Sequence, residues 1–500
     1  MKQDGLYWRP LGGNNIDQIS GHCYQYTDVV TTNGKTSQTI IMVDLGKFDN
    51  HYALGIKNSK AAVPDIRELL NAKELMPRAL FITHSHPDHL NGIIHYLKAG
   101  YKLPTLYGGQ YTQMILEELY DEFQLPNTRR PPFKIIKDGD KIKIGSLQIE
   151  ILAASHTCFD SLSLIIKSRH ATVYHTGDMK IDSSTYFRKP TNLKRLKELR
   201  GQIDHVVADF CAINEDGYAI KEVATFKKLV ELIKKSRKDK IFIPVYPTHP
   251  EMYIMAFLAA LKLKKNVVFY GNRDFYTYLE LVVKYGISFT KIAQGRIKVV
   301  YKPNDELAEL GNNYAVIGTF NDLGSYFNAS SKDCFGIITA RTYFNPLKGQ
   351  LNAHNIKFVT VQEAPELQGY GHGFLKDFEY INELLAHPTF IPTHCPLFVI
   401  DSFRPLAEYI GMKLIADTPV NNQVFRLDKS GIVKVQSAPA VWLVVNYDDD
   451  YAYFTEVWQR PTSGEGYLKR TISARKCKSK FNIALHLRKK GRENGTAKIQ

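Results

Sequence analysis

Cysteine is scarce in this chain and never paired. Its six cysteines in 500 residues stand singly at Cys23, Cys158, Cys211, Cys334, Cys395 and Cys477. That spacing excludes a thiolate zinc ribbon and a disulfide framework, and leads us to expect reduced thiols in a cytoplasmic protein. Long apolar runs are also missing. None approaches the ~20 residues that cross a bilayer, and residues 1–8 show no signal-peptide core, so no membrane role is expected. Acidic side chains are outnumbered, with 50 Asp plus Glu against 65 Lys plus Arg, a net charge of +15. A basic balance favours polyanionic partners through phosphate contacts, although solvated surface lysines would give the same sum. No internal repeat is present. The length implies two or three domains, and the 44% hydrophobic content is that of an ordinary globular protein.

Against that background, one stretch is dense in chemistry: Thr83-His84-Ser85-His86-Pro87-Asp88-His89. It follows the apolar run Ala79-Leu80-Phe81-Ile82, which reads as a buried strand, so the cluster begins where the strand ends. Neutral imidazoles suit borderline divalent metals, and carboxylates complete or bridge such sites. A polar loop of solvated histidines is the plain alternative, and the later residues weigh against it. Apolar runs end in a candidate ligand three more times, at His156, at His175-Thr176-Gly177-Asp178, and at His394 after Phe390-Ile391-Pro392-Thr393. A two-metal hydrolase needs three or four protein donors per ion and one bridging oxygen. His84, His86 and His156 form one candidate set, Asp88, His89 and His394 the other, and Asp178 is the natural bridge.

HxHxDH, a separate His, a Thr-Gly-Asp turn, and Asp44 at the end of the run Ile40-Ile41-Met42-Val43 together resemble the metallo-β-lactamase superfamily. Within it the chain is most similar to the β-CASP branch and the bacterial ribonuclease J group, over about residues 5–435. The resemblance implies an α/β fold: a metallo-β-lactamase αββα sandwich carrying an inserted β-CASP βαβ domain. It also implies two Zn²⁺ ions, with Mn²⁺ or Mg²⁺ as substitutes, and RNA as partner. Asp209 matches the acidic β-CASP motif, His372 in Gly371-His372-Gly373 the second, and His394 the third. His at the third motif resembles the RNA-acting members. Asp44 would orient ligands, His372 would meet the scissile phosphate or the leaving oxygen with Asp209 beside it, and Gly371 and Tyr370 would line the substrate. Family members typically read His-Val-Ser-Gly-His there, and this chain has Gln368 and Tyr370 in place of the first His and the Ser. That departure weighs against 5′-to-3′ trimming more than against internal cutting.

Residues 1–212 are expected to form the first part of the catalytic domain, 213–355 the insertion, 356–435 the second part, and 436–500 a C-terminal extension. In the insertion, Val223, Phe226, Leu229, Val230 and Ile233 recur at helical spacing. The strand-like Ile241-Phe242-Ile243, a helical stretch and Val267-Val268-Phe269 follow, which is βαβ grammar. In the extension, 447–451 and 461–464 read as turns. Its end carries Arg475, Lys476, Lys478, Lys480, Arg488, Lys489, Lys490, Arg492 and Lys498 against Glu493 alone, which suits RNA contact or a solvated tail equally. The extension is short and admits a homo-oligomer without requiring one.

Three function classes are weighed by these residues. A metal-dependent ribonuclease, cutting internally, from the 5′ end or both, is favoured by Asp209, His372, His394 and the charge. A small-molecule hydrolase of thioesterase or lactonase type would use the same HxHxDH core but has no need of a long insertion. A DNA-acting β-CASP nuclease is a variant of the first class, and a binding module that lost its chemistry would not keep the ligand set.

Overall fold

The structure is a computed structural model that describes residues 3–14, 20–48, 61–301, 311–319, 334–339, 344–369, 371–438, 441–447, 451–458 and 468–476. Two sheets stack face to face. The first has eight strands, in spatial order Gly431–Gln436, Val424–Asp428, Gly5–Gly12, Cys23–Thr32, Lys35–Val43, Ala79–Phe81, Leu106–Gly108 and Phe133–Ile135. The second has six: Thr389–Thr393, His205–Asp209, Thr172–His175, Leu162–Lys167, Leu147–Ala153 and Lys141–Ile144.

Strict alternation of side chains decides how these sheets pack. Leu147, Ile149 and Ile151, Leu162, Leu164 and Ile166, Val173, Val207 and Ile391 face Leu6, Trp8, Tyr26, Ile41, Val43 and Phe81 of the first sheet. The intervening Leu152, Ile165, Tyr174, Val206, Ala208 and Phe390 face the other way, toward the helices Leu375–Leu385 and Leu397–Tyr409. The first sheet's outer face is covered by Gly92–Lys98 and Gln110–Glu122. The result is the helix–sheet–sheet–helix sandwich expected for the metallo-β-lactamase fold.

The third sheet lies between Asp209 and His372 in the chain. Its six strands run Val299–Tyr301, Asn266–Tyr270, Tyr314–Gly318, Lys240–Pro244, Cys334–Ile337 and Lys357–Val359, and all neighbours are parallel. Helices Glu222–Ser236, Pro250–Lys262 and Arg273–Lys284 accompany it, Leu229 and Ile233 being buried as the helical spacing requires. The last of these strands lies beyond residue 355, yet joins this sheet because Phe335, Gly336 and Ile337 pair with Lys357, Phe358 and Val359. Charged side chains stitch this unit to the sandwich. Lys180 Nζ donates to the Ile220 carbonyl at 2.8 Å, the Glu222 N–H donates to Asp182 at 2.7 Å, and Arg188 Nε donates to Glu222 at 3.0 Å.

The C-terminal segment contains strands that sequence patterning missed. Val441–Tyr447, Tyr451–Trp458 and Leu468–Lys476 form a sheet with Ala61–Pro64. Trp442 packs on Phe48 with ring centroids 5.1 Å apart, and Arg67 pairs with Glu456 at 2.6 Å. The turn positions 448–450 and 461–464, Cys477 and the basic residues from Lys478 onward lie outside the described residues. Among the described residues no helix is long and apolar enough to cross a membrane.

Candidate metal centre

Candidate ligands gather at one end of the sandwich because the strands that carry them all stop there. Asp44 follows Lys35–Val43, His84 follows Ala79–Phe81, His156 follows Leu147–Ala153, Asp178 follows Thr172–His175, and His394 follows Thr389–Thr393. The pairings of Lys35–Val43 with Ala79–Phe81, and of Thr172–His175, His205–Asp209 and Thr389–Thr393, are parallel, so these carboxyl ends point the same way. Tight turns are needed to bring the side chains inward. Asp44 and His394 both have positive φ, 60° and 57°, a region that few non-glycine residues occupy. Gly177 has φ +57°, and a Cβ there would meet the Leu162 carbonyl oxygen at 2.9 Å and Thr83 Cβ at 3.0 Å. Only glycine makes that turn without displacing its neighbours.

Two groups of donors meet at Asp178. In the first, His84 Nε2 and His156 Nε2 lie 3.1 and 3.0 Å from His86 Nδ1, and each lies 3.7 Å from Asp178 Oδ2. In the second, His89 Nε2 lies 3.3 Å from that same oxygen, and His394 Nδ1 lies 3.0 Å from Asp178 Oδ1. Asp88 Oδ2 stands 3.8 Å from both His89 Nε2 and His394 Nε2. All seven side chains named from the sequence therefore come together, with one carboxylate between the groups.

Hydrogen bonds behind the rings fix which nitrogen faces inward. His156 Nδ1 donates to the Gly371 carbonyl at 2.9 Å, leaving a lone pair on Nε2. Thr83 Oγ1 donates to Asp44 at 2.9 Å, so at 3.0 Å it accepts from His84 Nδ1. His89 Nδ1 donates to Asp44 Oδ2 at 2.8 Å. Inward-facing nitrogens on buried imidazoles, His89 Nε2 among them at 3.3 Å from Asp178 Oδ2, are a donor set suited to cations. Burial holds His84, His86 and His156 well below the ordinary histidine range, hence neutral. Burial also opposes the charging of His89, yet Asp178, Asp88 and Asp44 together push it up to about 10. Asp178 is held well below the usual carboxylate range, His394 and His89 overcoming the opposing effect of burial.

His372 and Asp209 form a pair beside this cluster. His372 Nδ1 donates to Asp209 Oδ2 at 2.7 Å, and its ring stands 4.9 Å from that of His394. Burial disfavours the imidazolium, but Asp209 and Cys211 carry it well above the ordinary value. Gly371 packs against His156, where a Cβ would sit 2.4 Å from the imidazole. Its placement is thus behind a candidate ligand. Tyr370 lies outside the described residues, and Gln368 is buried.

Three neighbours escaped the sequence reading. His22, fully buried, stacks on His89 at 4.2 Å, and His249 at the start of the Pro250–Lys262 helix lies 5.2 Å from the His86 ring. Cys211 is grouped with Asp209, His372 and His394. None ends an apolar run, so the pattern that found the others could not find them. His175, by contrast, turns away into the core and pairs with the Tyr26 hydroxyl at 2.9 Å, where burial lowers it to about 3.

A beta-lactamase superfamily domain model matches residues 62–249. Ribonuclease J of Helicobacter pylori (strain J99 / ATCC 700824) is 32% identical over 265 residues, covering 53% of this chain and 36% of that protein. The match therefore spans about a third of that relative's length. Ribonuclease J of Thermus thermophilus is 22% identical over 415 residues, covering 77% of this chain and 70% of that protein. A crystal structure of a protein of unknown function from Enterococcus faecalis V583 shares the fold. Its TM-score is 0.56 at 15% identity, covering 85% of this chain and 100% of that one.

Proposed function

We propose, for a chain that is a metallo-β-lactamase-fold protein similar to ribonuclease J, that it hydrolyses RNA phosphodiester bonds with two bound divalent cations, most fittingly Zn²⁺. The observation carrying this reading is Asp178, whose Oδ2 lies 3.3 Å from His89 Nε2 and 3.7 Å from His84 and His156 Nε2. One carboxylate between two imidazole groups is what a bridged pair of ions requires. Under this reading His84, His86 and His156 hold one ion, Asp88, His89 and His394 the other, and Asp178 both. When bound, the cations lower the pKa of water from about 15.7 toward 7 and offset charge on phosphoryl oxygens.

The remaining work falls to side chains. Asp44 fixes the His89 ring and its tautomer. Asp209 keeps His372 protonated and oriented, so that its ring would give a proton to the leaving oxygen or a hydrogen bond to the scissile phosphate. The β-CASP-like unit between Asp209 and His372 walls the site on the side of His249. A small-molecule hydrolase does not need an insertion of this length, and this favours a polymeric substrate. The net charge of +15 favours a polyanion.

The test is digestion of 5′-labelled RNA carrying mono- or triphosphate ends, beside matched DNA and a β-lactam. Added Zn²⁺ or Mn²⁺ should support cleavage of RNA, releasing nucleotides if trimming operates and internal fragments if it does not. Asp88→Ala and His86→Ala should abolish cleavage while RNA binding persists. His372→Ala should keep its metal and lose rate by about 10²–10⁴. A metal-free chain that cleaves at full rate, or one that turns over only the β-lactam, refutes the proposal.

A further inference from the structure

The geometry points to His22 as an additional ligand, through Nε2, of the cation held by Asp88, His89 and His394. This rests on the two-cation reading above and goes beyond it, since it makes the second site as rich in imidazole as the first. His22 is fully buried, and its Nε2 has no hydrogen-bond partner. That atom lies 3.6 Å from Asp88 Oδ2, the same oxygen that stands 3.8 Å from His89 Nε2 and His394 Nε2. Ligand atoms of His22, His89 and His394 lie within 4.8 Å of one another. With Asp178 the site would have five donors, and five donors bonded at about 2.0–2.1 Å stand roughly 2.9–3.6 Å apart, so the contacts of 3.6 and 3.8 Å close around an ion by inward side-chain movement.

The backbone shows that His22 belongs to the ligand loop. Its N–H donates to the Asp88 carbonyl at 2.8 Å, and its carbonyl accepts from Gly46 N–H at 2.9 Å. The Leu45 N–H in turn donates to the His89 carbonyl at 2.9 Å. Behind the ring, His22 Nδ1 pairs with the Tyr24 hydroxyl at 2.8 Å. With the Nδ1 proton given to that hydroxyl, the Nε2 lone pair faces the cage. Gly13 makes room for the pair, because a Cβ there would stand 2.4 Å from His22 Nδ1 and 2.5 Å from the Tyr24 oxygen. A hydrogen bond from His22 to Asp88 is the competing role, but 3.6 Å is too long for one.

A third imidazole changes which ion the site prefers. Imidazole suits Zn²⁺, whereas carboxylate- and water-rich sites suit Mn²⁺ and Mg²⁺. His22 would thus bias the second site toward Zn²⁺ without adding negative charge.

The assay is equilibrium dialysis of the full chain against graded Zn²⁺ with excess Mn²⁺, read by elemental analysis. Wild type should retain two zinc per chain. His22→Gln should keep the first and bind the second at least about tenfold more weakly, losing its preference over Mn²⁺. His22→Gln holding two zinc with unchanged affinity and preference would overturn the assignment. A wild type that never holds two ions would instead overturn the two-cation reading. Should the variant misfold by circular dichroism without metal, cadmium-113-loaded wild type labelled with nitrogen-15 histidine decides the matter. Coupling to cadmium at His22 is expected, and coupling confined to His84, His86, His89, His156 and His394 would refute it.

Discussion

Replacing Asp44 with asparagine should separate ligand orientation from fold stability. Asp44 is fully buried and accepts three hydrogen bonds: from the Thr83 N–H at 2.7 Å, from the Thr83 hydroxyl at 2.9 Å, and from His89 Nδ1 at 2.8 Å. An amide of the same shape offers one acceptor and one donor. The Thr83 backbone can only donate, so it claims the amide oxygen and leaves the NH₂ facing His89 Nδ1. Two donors cannot face each other in a buried site, and the imidazole gives way by moving its proton to Nε2. An N–H then points to where the second cation would be held. Outer-shell losses of this kind cost about 10–100-fold in metal affinity, or about 1.4–2.7 kcal/mol. Asparagine tolerates the positive φ of 60°, so the metal-free fold should survive. Asp44→Ala should behave differently, stranding buried donors at about 1–3 kcal/mol each and adding a left-handed backbone penalty of about 1 kcal/mol. Chelator competition for zinc, beside thermal unfolding in EDTA, measures both effects. Second-site affinity in Asp44→Asn equal to that of wild type would refute the tautomer argument.

Two further predictions probe the first site and the joint between units. Gly371→Ala drives a methyl group to 2.4 Å from the His156 ring, so His156 must leave its position and zinc content should fall from two to one per chain; a retained pair by elemental analysis would contradict this. Burial pushes Glu251 up to about 8, and its nearby cation Arg188, 3.9 Å away, already serves Glu222. Protonated in the folded chain and ionised in the unfolded one, Glu251 contributes stability that is complete below about 4.5 and lost as pH rises through about 8. Unfolding free energy in EDTA should therefore decline between those values by on the order of 1.4 kcal/mol per pH unit at most, and Glu251→Gln should flatten the decline. Parallel curves for the two proteins would rule it out.

What was legible in the sequence was whatever is written locally. Apolar runs such as residues 149–153 mark strands of the sandwich, and a run that ends in His or Asp marks a candidate ligand at a strand's carboxyl end. The helical spacing in Glu222–Ser236 and the apolar run in Lys240–Pro244 likewise place the parallel inserted sheet without any knowledge of its neighbours. Long-range pairing is not written that way. Nothing near Val441–Tyr447 says that it will lie beside Ala61–Pro64, and a short strand paired across the chain has no local periodicity to betray its partner. Lys180, Asp182, Arg188, Glu222 and Glu251 look like solvated charges in sequence, and they become a buried joint only when the inserted unit is seated.

His22 marks the boundary between these two kinds of information. It precedes its strand, Cys23–Thr32, where every candidate ligand read from the sequence follows one, so no apolar run points to it. What brings it to the site is a main-chain hydrogen bond to Asp88 and a glycine that lets Tyr24 approach from behind. Both are tertiary facts. A lone histidine in a loop is ordinarily a solvated or structural one; a buried histidine with an unpartnered nitrogen among three other donors is not, because leaving that nitrogen bare costs about 1–3 kcal/mol unless something fills the space between them.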